Sequence, residues 1–494
     1  MKKNREHSRS FEEVLTLCRE SDDFINEELL GKENSIYYLS YFSSLCDSTP
    51  LNEFVFNPLK KKQCYSLEDI KEALPLKGVK AVSSGKELEE GLNQGQVLIR
   101  FEQGEPYGIL ASVRLNENRQ ISIPEMEYTV IGPKEAFVEN LDVNLNLLRN
   151  RLPTSSLCVK KVTIGTISRT EVAVVYLKDI ANKDNVQTMI QRIEAIEYDE
   201  ISDTSYINQF IEDNSNSPFP QLIDTERPDR VAAQLTEGKI AVLSKGSPSV
   251  ILAPTTMVEF FSAFEDYYIP WHLASAFRLI RLFAVLFSVF STPMYVAVLT
   301  YHAELIPQDL LATLIMSRSI IPFPPIFEAI FLELTIELLR EAGARLPTKV
   351  GQTIGIVGGI VIGTAAVEAG LTSNVLLIIV ALAALASFTT PIYRIGNTIR
   401  LIRFPFLLMA QLWGLLGISL LGSFLLVHII TLKSLGRPYL EPVYPFRFRD
   451  FKDAFIRVPF SKQYELPELT QTAKPERFSK KKAKKHADID EHIR

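Results

Sequence analysis

The segment VGQTIGIVGGIVIGTAAVEAGL, residues 350–371, decides how the rest of this chain is interpreted. It is long enough to cross a bilayer as a helix, and its one formally charged side chain is Glu368 near the end. Four glycines recur every four residues and would form a smooth stripe along such a helix: Gly351, Gly355, Gly359 and Gly363. Because glycine disfavours helices in water but lets helices approach closely in a membrane, the stripe predicts a tightly packed membrane helix.

The opposite face of the same helix is mildly polar. It carries Thr353, Val357, Val361, Thr364 and Glu368. Such a face suits a pore lined by helices from several subunits, because polar groups inside a membrane often mark ion pathways. The alternative is that the stripe is an ordinary packing face within one subunit, and that Glu368 is an interfacial carboxylate that meets water at a helix end.

The overall composition conceals very different parts of the chain. The 494 residues are 47% hydrophobic and 22% charged, but residues 1–272 are polar and mixed whereas residues 273–432 contain several apolar runs of membrane length. Residues 433–494 hold 15 Lys/Arg and 9 Asp/Glu, a net charge of +6. Since the whole chain is −5, residues 1–432 carry −11. We therefore expect a soluble part, a membrane part and a basic tail.

The soluble part is expected to be a cytoplasmic α/β domain with two subdomains. The N-terminus lacks the apolar core of a signal peptide, which predicts that the domain stays in the cytoplasm. Helix and strand patterns alternate along it, including a hairpin around residues 96–115 and an amphipathic helix over residues 132–151. The predicted organisation is a charged N-terminal tail, subdomain 1 and subdomain 2, over residues 1–30, 31–130 and 131–268.

The membrane part, residues 269–432, is expected to be α-helical and polytopic. Its apolar runs predict about four spans, over residues 279–301, 350–371, 375–390 and 406–432. Four spans would return the chain to the cytoplasm, so that residues 433–494 form a basic cytoplasmic tail. The same count places Arg394, Arg400 and Arg403 on the far side, against the positive-inside tendency.

The segment over residues 322–342 is unlike the other apolar runs because it contains five charged side chains: Glu328, Glu333, Glu337, Arg340 and Glu341. A lipid-facing helix carries charges at a high cost, which favours an amphipathic helix in the interface or an element buried in an assembly. The charges could pair between subunits or form a vestibule that senses a partner. A solvated helix face is the alternative.

Enzymatic motifs are missing from the sequence. There is no phosphate-binding loop, no H-E-x-x-H and no nucleophile elbow, and the four cysteines form no C-x-x-C pair. We therefore expect no enzyme, no cofactor and no metal site. The lysine run at residues 480–485 is more typical of a segment facing anionic lipid than of a nucleic-acid site, because no nucleic-acid-binding fold accompanies it.

Several short segments occur in an order that resembles one family. They are GPKEAF at residues 132–137, ERPDRV at 226–231, EGK at 237–239, SR at 317–318, PFPP at 322–325 and GQTIG at 351–355. Together they resemble the A subunit of GerA-type spore germinant receptors of endospore-forming bacteria. The resemblance covers roughly residues 30–460.

The resemblance implies a multi-pass protein of the spore inner membrane, with both termini on the core side. It further implies a receptor complex with a transporter-like B subunit and a lipoprotein C subunit. In such a complex the A subunits would form a ring, expected to be a pentamer, that conducts monovalent cations when a nutrient binds. The rival interpretation is a non-conducting scaffold or signalling subunit that relays nutrient binding from the transporter-like partner.

Overall fold

The computed structural model describes residues 9–114, 124, 127, 129, 131–448, 450–472 and 476–477. Within the helix Thr348–Glu368 it describes side chains from Gly358 onward. Two units of helices and antiparallel sheet come first, and long helices follow. A C-terminal segment after residue 432 then returns to the second unit.

Subdomain 1 is built on a five-stranded antiparallel sheet in the order β1-β2-β4-β5-β3. The predicted hairpin is confirmed as β4 and β5, in which Ile99 pairs with Ile109. The elements in chain order are α1 (Phe11–Arg19), β1 (Phe24–Leu30), β2 (Ile36–Phe42), α2 (Ser48–Leu51), α3 (Asn57–Lys61), α4 (Leu67–Ala73), β3 (Lys80–Val82), α5 (Gly85–Asn93), β4 (Gln96–Arg100) and β5 (Gly108–Ser112).

Subdomain 2 has a second five-stranded antiparallel sheet, in the order β6-β7-β9-β10-β8. Strands β9 and β10 are buried along their whole length, which matches their apolar sequences. The elements are α6 (Leu141–Arg151), β6 (Leu157–Ile164), β7 (Thr170–Leu177), α7 (Lys183–Glu194), α8 (Thr204–Ile211), β8 (Ile223–Thr225), α9 (Pro228–Thr236), β9 (Ile240–Ser244) and β10 (Val250–Ala253).

The expectation of a charged tail over residues 1–30 is wrong from Phe11 onward. Helix α1 buries Phe11, Val14 and Leu15, and β1 forms the edge of the first sheet. A capping box between Ser10 and Glu13 starts the helix. The high charge of this stretch concealed an amphipathic helix whose apolar face packs on the sheet.

The helix predicted over residues 132–151 begins nine residues later than expected. Asn140 caps α6 by accepting hydrogen bonds from the Asp142 and Val143 backbone. Before it the chain is extended, and the Phe137 N–H donates to the Glu226 carbonyl at 2.8 Å. Phe137 is buried as the pattern predicts, but from an extended segment rather than from the helix.

The helical section, residues 269–432, contains six helices. These are α10 (Trp271–Tyr301), α11 (Gln308–Arg318), α12 (Pro325–Arg345), α13 (Thr348–Glu368), α14 (Asn374–Ser387) and α15 (Tyr393–Thr431). By length and composition α10 and α15 could each cross a membrane, with a mean hydropathy of 2.0.

Helix α15 reverses direction at Gly414. Near its start Thr398 donates to the Pro218 carbonyl at 2.5 Å, and near its end His428 lies 2.9 Å from the Ser217 hydroxyl. A straight helix would separate positions 398 and 428 by about 45 Å. Gly414 has φ 61° and ψ −138°, a conformation that glycine alone adopts readily. Helix α15 is therefore two antiparallel arms.

The outgoing arm, residues 393–413, and the returning arm, residues 415–431, pack closely where they meet. At Gly417 a Cβ atom would lie 2.1 Å from the Met409 carbonyl oxygen. No other residue type could replace Gly417 without moving the arms apart. The turn itself lies against the end of α10, where the Tyr301 hydroxyl donates to the Gln411 carbonyl at 2.8 Å.

Replacing Gly414 with alanine is expected to destabilise the helical section by about 1–3 kcal/mol, because a side chain is strained at this φ and ψ. The new Cβ would also lie 3.0 Å from His302 Nε2. The matched control is Gly422→Ala on the returning arm, where a Cβ meets nothing within 4 Å. Thermal unfolding in detergent should show a lower midpoint for G414A than for the natural protein, and an unchanged midpoint for G422A. Equal midpoints would refute the reversal.

The expected placement of three arginines across the membrane from the soluble domain is wrong at Arg394. Its Nη1 atom lies 3.1 Å from the Asp224 carboxylate of subdomain 2. Arg400 and Arg403 follow on the same outgoing arm. The sequence places residues 391–403 between two predicted spans, whereas α15 begins at Tyr393, beside the soluble domain, and runs through them.

The expected basic tail over residues 433–494 is folded in its first part. Two short strands and a helix follow α15, namely β11 (Lys433–Ser434), β12 (Arg437–Pro438) and α16 (Phe451–Ala454). Tyr439 is fully buried and its hydroxyl donates to the Pro220 carbonyl at 2.7 Å. Residues 433–472 therefore belong with subdomain 2, and the lysine run lies outside the described residues.

Candidate functional site

Helix α13 leaves most of its described surface uncovered within one chain. Between residues 358 and 368 it buries Ala366 alone, although α12 packs beside it and Leu377 of α14 lies near Gly363. The aliphatic side chains of Ile360 and Val361 are 62% and 57% exposed. An apolar helix this uncovered must meet either lipid or further protein.

The glycines of α13 divide between inward and outward positions. A Cβ at Gly358, which is not part of the predicted stripe, would lie 3.0 Å from Leu339 of α12. A Cβ at Gly363 would approach Leu377 of α14 at 3.8 Å, and one at Gly359 would meet nothing within 4 Å. The four-residue spacing concealed the role of Gly358. Gly351 and Gly355 precede the described side chains.

Three members of the predicted polar face lie in the part of α13 whose side chains are described. Val361, Thr364 and Glu368 are all exposed and lie on one side of the helix. The Thr364 hydroxyl donates to the Ile360 carbonyl at 2.9 Å, so its oxygen can still accept a hydrogen bond. Thr353 and Val357, the other predicted members, lie where the side chains are not described. This face offers an apolar site, a hydroxyl and a carboxylate in sequence.

Two of the five charged residues of α12 are buried inside the chain. Glu333 forms an ion pair with Arg403 of the outgoing arm, and both side chains are 3% exposed. Thr292 donates to Glu333 at 3.0 Å, and Arg403 donates to the Ser288 hydroxyl at 2.6 Å. Helices α10, α12 and α15 are therefore joined by one buried polar cluster. At Glu333 the alternative of a solvated helix face is therefore wrong.

Glu328 makes the second internal connection. Its Oε1 lies 2.9 Å from Arg318 at the end of α11, and its Oε2 accepts from the Ser373 backbone at 3.2 Å. Ser373 is the N-cap of α14, so this carboxylate joins three helices. With these bonds intact neither Glu328 nor Glu333 is available to another copy of the chain.

The remaining charges of α12 become progressively more exposed. Glu337 accepts from Arg340 at 2.9 Å and lies 3.6 Å from Arg400. Arg340 also donates to Asn397 at 3.2 Å. Glu341 pairs with Arg345 on the surface, where both side chains are exposed. Of the five charged residues that could contact another subunit or a partner, Glu341 is thus the one that another molecule could reach most easily.

The junction between the soluble domain and α10 was missed by sequence reasoning. Asp266 is buried and lies 3.1 Å from Arg278 and 3.2 Å from Arg281. Arg457, from the C-terminal segment, donates to the Ile269 carbonyl at 2.6 Å. In the sequence, Arg278 and Arg281 stand at the start of the apolar run, where the positive-inside tendency indicates only that this end faces the cytoplasm. They also fix the entry of α10 to chain segments on both sides of the helical section.

The ERPDRV segment, residues 226–231, forms a buried hydrogen-bonded cluster beside this junction. Arg227 is fully buried and donates to Asp229 through Nε at 3.0 Å and Nη2 at 2.6 Å. The Tyr268 hydroxyl donates to the same carboxylate at 2.7 Å. Gly132 lies against the ring of Tyr268, where a Cβ would come within 2.7 Å. Two segments of the resemblance therefore meet in space and hold the chain that leads into α10.

Known proteins match this chain along almost its whole length. A family model described as the Bacillus/Clostridium GerA spore germination protein matches residues 12–469. Spore germination protein GerQA of Bacillus cereus is 51% identical over 478 residues, which cover 97% of this chain and 96% of that protein. Spore germination protein GerIA of Bacillus cereus is 47% identical over 460 residues, which cover 93% and 69% respectively.

A solved structure is similar to the N-terminal half. It is the N-terminal domain of the A subunit of the Bacillus megaterium spore germinant receptor GerK3, which is 28% identical in sequence. The similarity covers 50% of this chain and 95% of that domain, with a TM-score of 0.38.

Proposed function

Because this chain belongs to the GerA family of spore germination proteins, we propose that it is the channel-forming subunit of a nutrient-responsive germination receptor. Its copies assemble into a ring, a pentamer by the family resemblance, in the spore inner membrane. Nutrient binding opens the ring to monovalent cations. A transporter-like B subunit and a lipoprotein C subunit complete the receptor, and the A subunit itself is not an enzyme.

The membrane section is proposed to cross the bilayer six times. Helix α10 leaves the soluble domain, and α15 returns to it after its two arms. Near the start of α12, Glu328 accepts a hydrogen bond from Ser373, which lies on the far side. Near its end, Arg340 donates to Asn397, which lies beside the soluble domain. Helix α12 therefore also crosses. Helices α13 and α14 then lead out and back. The charges of α12 can cross because Glu328 and Glu333 are paired and buried.

The arrangement with six crossings also accounts for the positions of the basic residues that begin α15. Arg394 and Arg400 come to the side of the soluble domain, as the positive-inside tendency requires. The first and last described residues, Arg9 and Arg477, contact the soluble domain and so lie on that side as well, which is the spore core in the proposed location.

The observation that carries the channel proposal is the uncovered surface of α13. Gly359 faces open space, which leaves room for a helix of a neighbouring copy to approach closely. The opposite side presents Val361, Thr364 and Glu368. If several copies packed through the glycine side, this polar side would face a common axis, with Thr353 and Val357 continuing it.

Each residue of that face then has a physical role. Val361, with Val357, forms an apolar constriction that closes the pore by excluding water. Thr364 and Thr353 offer hydroxyl oxygens to passing ions. Glu368 from every copy makes a ring of negative charge, which favours cations over anions.

The charge ring gives a direct test of the proposal. Purified protein in liposomes should form a ring-sized oligomer that passes potassium in preference to chloride, and Glu368→Gln should lower that preference several-fold. The reason is that the substitution removes one negative charge per copy from the pore mouth. Reversal potentials under a salt gradient measure the effect.

The control for this test is Glu68→Gln, which makes the same charge change at an exposed position of subdomain 1. Unchanged selectivity in E368Q with an intact oligomer would remove Glu368 from the pore. No flux from any form of the protein, including protein reconstituted with its partner subunits, would instead favour the non-conducting scaffold.

A further inference from the structure

The C-terminal segment over residues 443–460 connects the two places where the chain enters and leaves the helical section. It follows the strands β11 and β12, which come directly after the end of α15, and the Tyr439 N–H donates to the Leu432 carbonyl there at 3.1 Å. At its other end the Arg457 carbonyl accepts from the Ser275 hydroxyl at 3.1 Å. The segment is therefore fixed beside the end of α15 and beside the first turns of α10.

The first turns of α10 lie at the level of the membrane surface if this helix crosses the bilayer as proposed. The helix has 31 residues and is about 46 Å long, whereas the hydrocarbon core of a bilayer is about 30 Å thick. Counting back about 20 residues from Tyr301 reaches Leu282, directly after the buried Arg281. Residues 271–281 are therefore left for the headgroup layer and the water beside it.

The segment presents large apolar side chains that the described chain leaves uncovered. Phe446 and Phe448 are 69% and 74% exposed, and Ile456 and Phe460 are also exposed. Leaving this much apolar surface in water is unfavourable. Exposed apolar patches of this kind mark surfaces that meet lipid or another protein.

Contacts between aromatic rings join these side chains to the part of the segment held against α10. The ring centre of Phe446 lies 5.1 Å from that of Phe451, which lies 5.4 Å from that of Phe455. Two residues before Phe455, the Asp453 carbonyl accepts a hydrogen bond from Arg278 of α10. A row of rings thus leads from Phe446 to the base of α10.

The start of α10 extends the same surface. Trp271 is exposed, and the ring of Phe460 stacks on that of Tyr267 with the centres 6.5 Å apart. Aromatic side chains are enriched where a membrane helix meets the headgroup layer. Lys462 is exposed just beyond Phe460, where its ammonium group could reach lipid phosphates.

We propose that residues 443–460 form a membrane-contact segment, whose exposed apolar side chains enter the headgroup layer beside α10. Lipid is the partner that fits, because this surface continues the part of α10 that lies at the membrane surface. The contact would hold the entry of α10 at a fixed depth, since withdrawing the segment would expose its apolar side chains to water. The proposal rests on the proposed crossing of α10 but not on conduction along α13.

A fluorescent label at position 448 tests the contact in the full-length protein reconstituted in liposomes. Phe448→Cys provides the attachment site, since the four natural cysteines are buried. Lipids with a nitroxide near the headgroup should quench the label by about half or more, because interfacial side chains are buried about 5–10 Å into the boundary between headgroups and acyl chains. Iodide on both sides of the membrane should quench it weakly. A label at Ile456→Cys should behave in the same way.

The matched control is Tyr65→Cys, at an aromatic side chain that is 79% exposed on subdomain 1. Its label should be quenched by iodide and not by the nitroxide lipids. A label at position 448 that behaves like the label at position 65 would overturn the proposal, because the segment would then face water. Protection from both quenchers would also overturn it and would identify a second copy or a partner protein as the occupant.

A label on α10 itself separates this proposal from the proposed function. Phe283 is exposed and lies in the part of α10 assigned to the hydrocarbon core. A label at Phe283→Cys should be quenched by nitroxides deep in the acyl chains. Quenching of that label by iodide would refute the crossing of α10, and the proposed function with it. Deep quenching at position 283 together with an iodide-accessible label at position 448 would refute the membrane-contact segment alone.

Discussion

Arg403→Ala is expected to destabilise the helical section by about 3–5 kcal/mol and to sharply reduce the amount of protein in the membrane. The arginine and its partner Glu333 are both 3% exposed, so its removal leaves an uncompensated carboxylate inside the chain. The cluster also loses its hydrogen bond to Ser288. Thermal unfolding of the purified protein in detergent, together with its abundance in membranes, measures the loss.

Two controls define the cause of that loss. Arg345→Ala breaks the exposed pair with Glu341 and should cost less than about 1 kcal/mol, since surface pairs contribute little. The double variant Arg403→Met, Glu333→Leu should recover most of the stability, because apolar residues of similar size commonly replace a buried pair without loss. If the double variant were no better than Arg403→Ala, the role of the charge pair would be disproved.

Arg149→Ala is expected to release subdomain 1 from subdomain 2, at a cost of about 3–5 kcal/mol. Arg149 donates to the fully buried Asp23 through Nε at 2.7 Å and Nη2 at 2.5 Å. Its guanidinium also lies 3.8 Å from the ring centre of Phe42. Hydrogen exchange in α6 and β1 of the full-length protein should accelerate about 100-fold or more.

The neighbouring pair supplies the control for this prediction. Lys160 and Asp22 bridge the same two subdomains at 2.8 Å but are substantially exposed. Lys160→Ala should therefore change exchange in β1 only slightly. Similar exchange in the two variants would show that burial of the Arg149 pair contributes little.

The buried carboxylate of Asp23 predicts that the contact between the two subdomains depends on pH. Burial alone would raise the pKa of Asp23, but Arg149 and the hydroxyls of Ser21 and Ser44 outweigh burial and hold the pKa below its usual value. A lowered pKa stabilises the folded state above the unfolded pKa of about 3.9 and loses that contribution as the pH falls through the folded value. Exchange in β1 should therefore accelerate with acid only below about pH 4, and Asp23→Asn should remove that component.

The sequence predicted elements whose signals are local. The hairpin of β4 and β5 and the buried strands β9 and β10 follow from periodicity over a few residues. The start of α6 was misplaced because Phe137 continues the apolar pattern although the cap lies at Asn140. Periodicity does not distinguish a helix from an extended segment that buries one side chain.

The features that could not be predicted depend on distant residues. Glu333 and Arg403 are 70 positions apart, and no local pattern shows that they meet. Charges on α12 therefore suggested an interfacial helix, whereas two of its carboxylates have buried partners. In the sequence Gly414 resembles any other glycine of an apolar helix. Its positive φ, and the reversal of α15 there, are evident only in the structure. The proposed six crossings depend on these two features.

Block of cation flux through a cysteine at position 361 tests the proposed pore most directly. Cysteine is smaller than valine, so Val361→Cys should conduct more than the natural protein when purified and placed in liposomes. A charged thiol reagent should then reduce the flux about tenfold or more, because it enters the narrowest part of the pore.

The protein offers a clean background for this measurement. Its four cysteines are buried, and burial raises the pKa of Cys18 and of Cys46 to about 12, so little reactive thiolate is present. Glu68→Cys, at an exposed position of subdomain 1, should react without changing the flux. Block of the flux is expected at position 361 alone. Complete labelling of Val361→Cys with undiminished flux would contradict it.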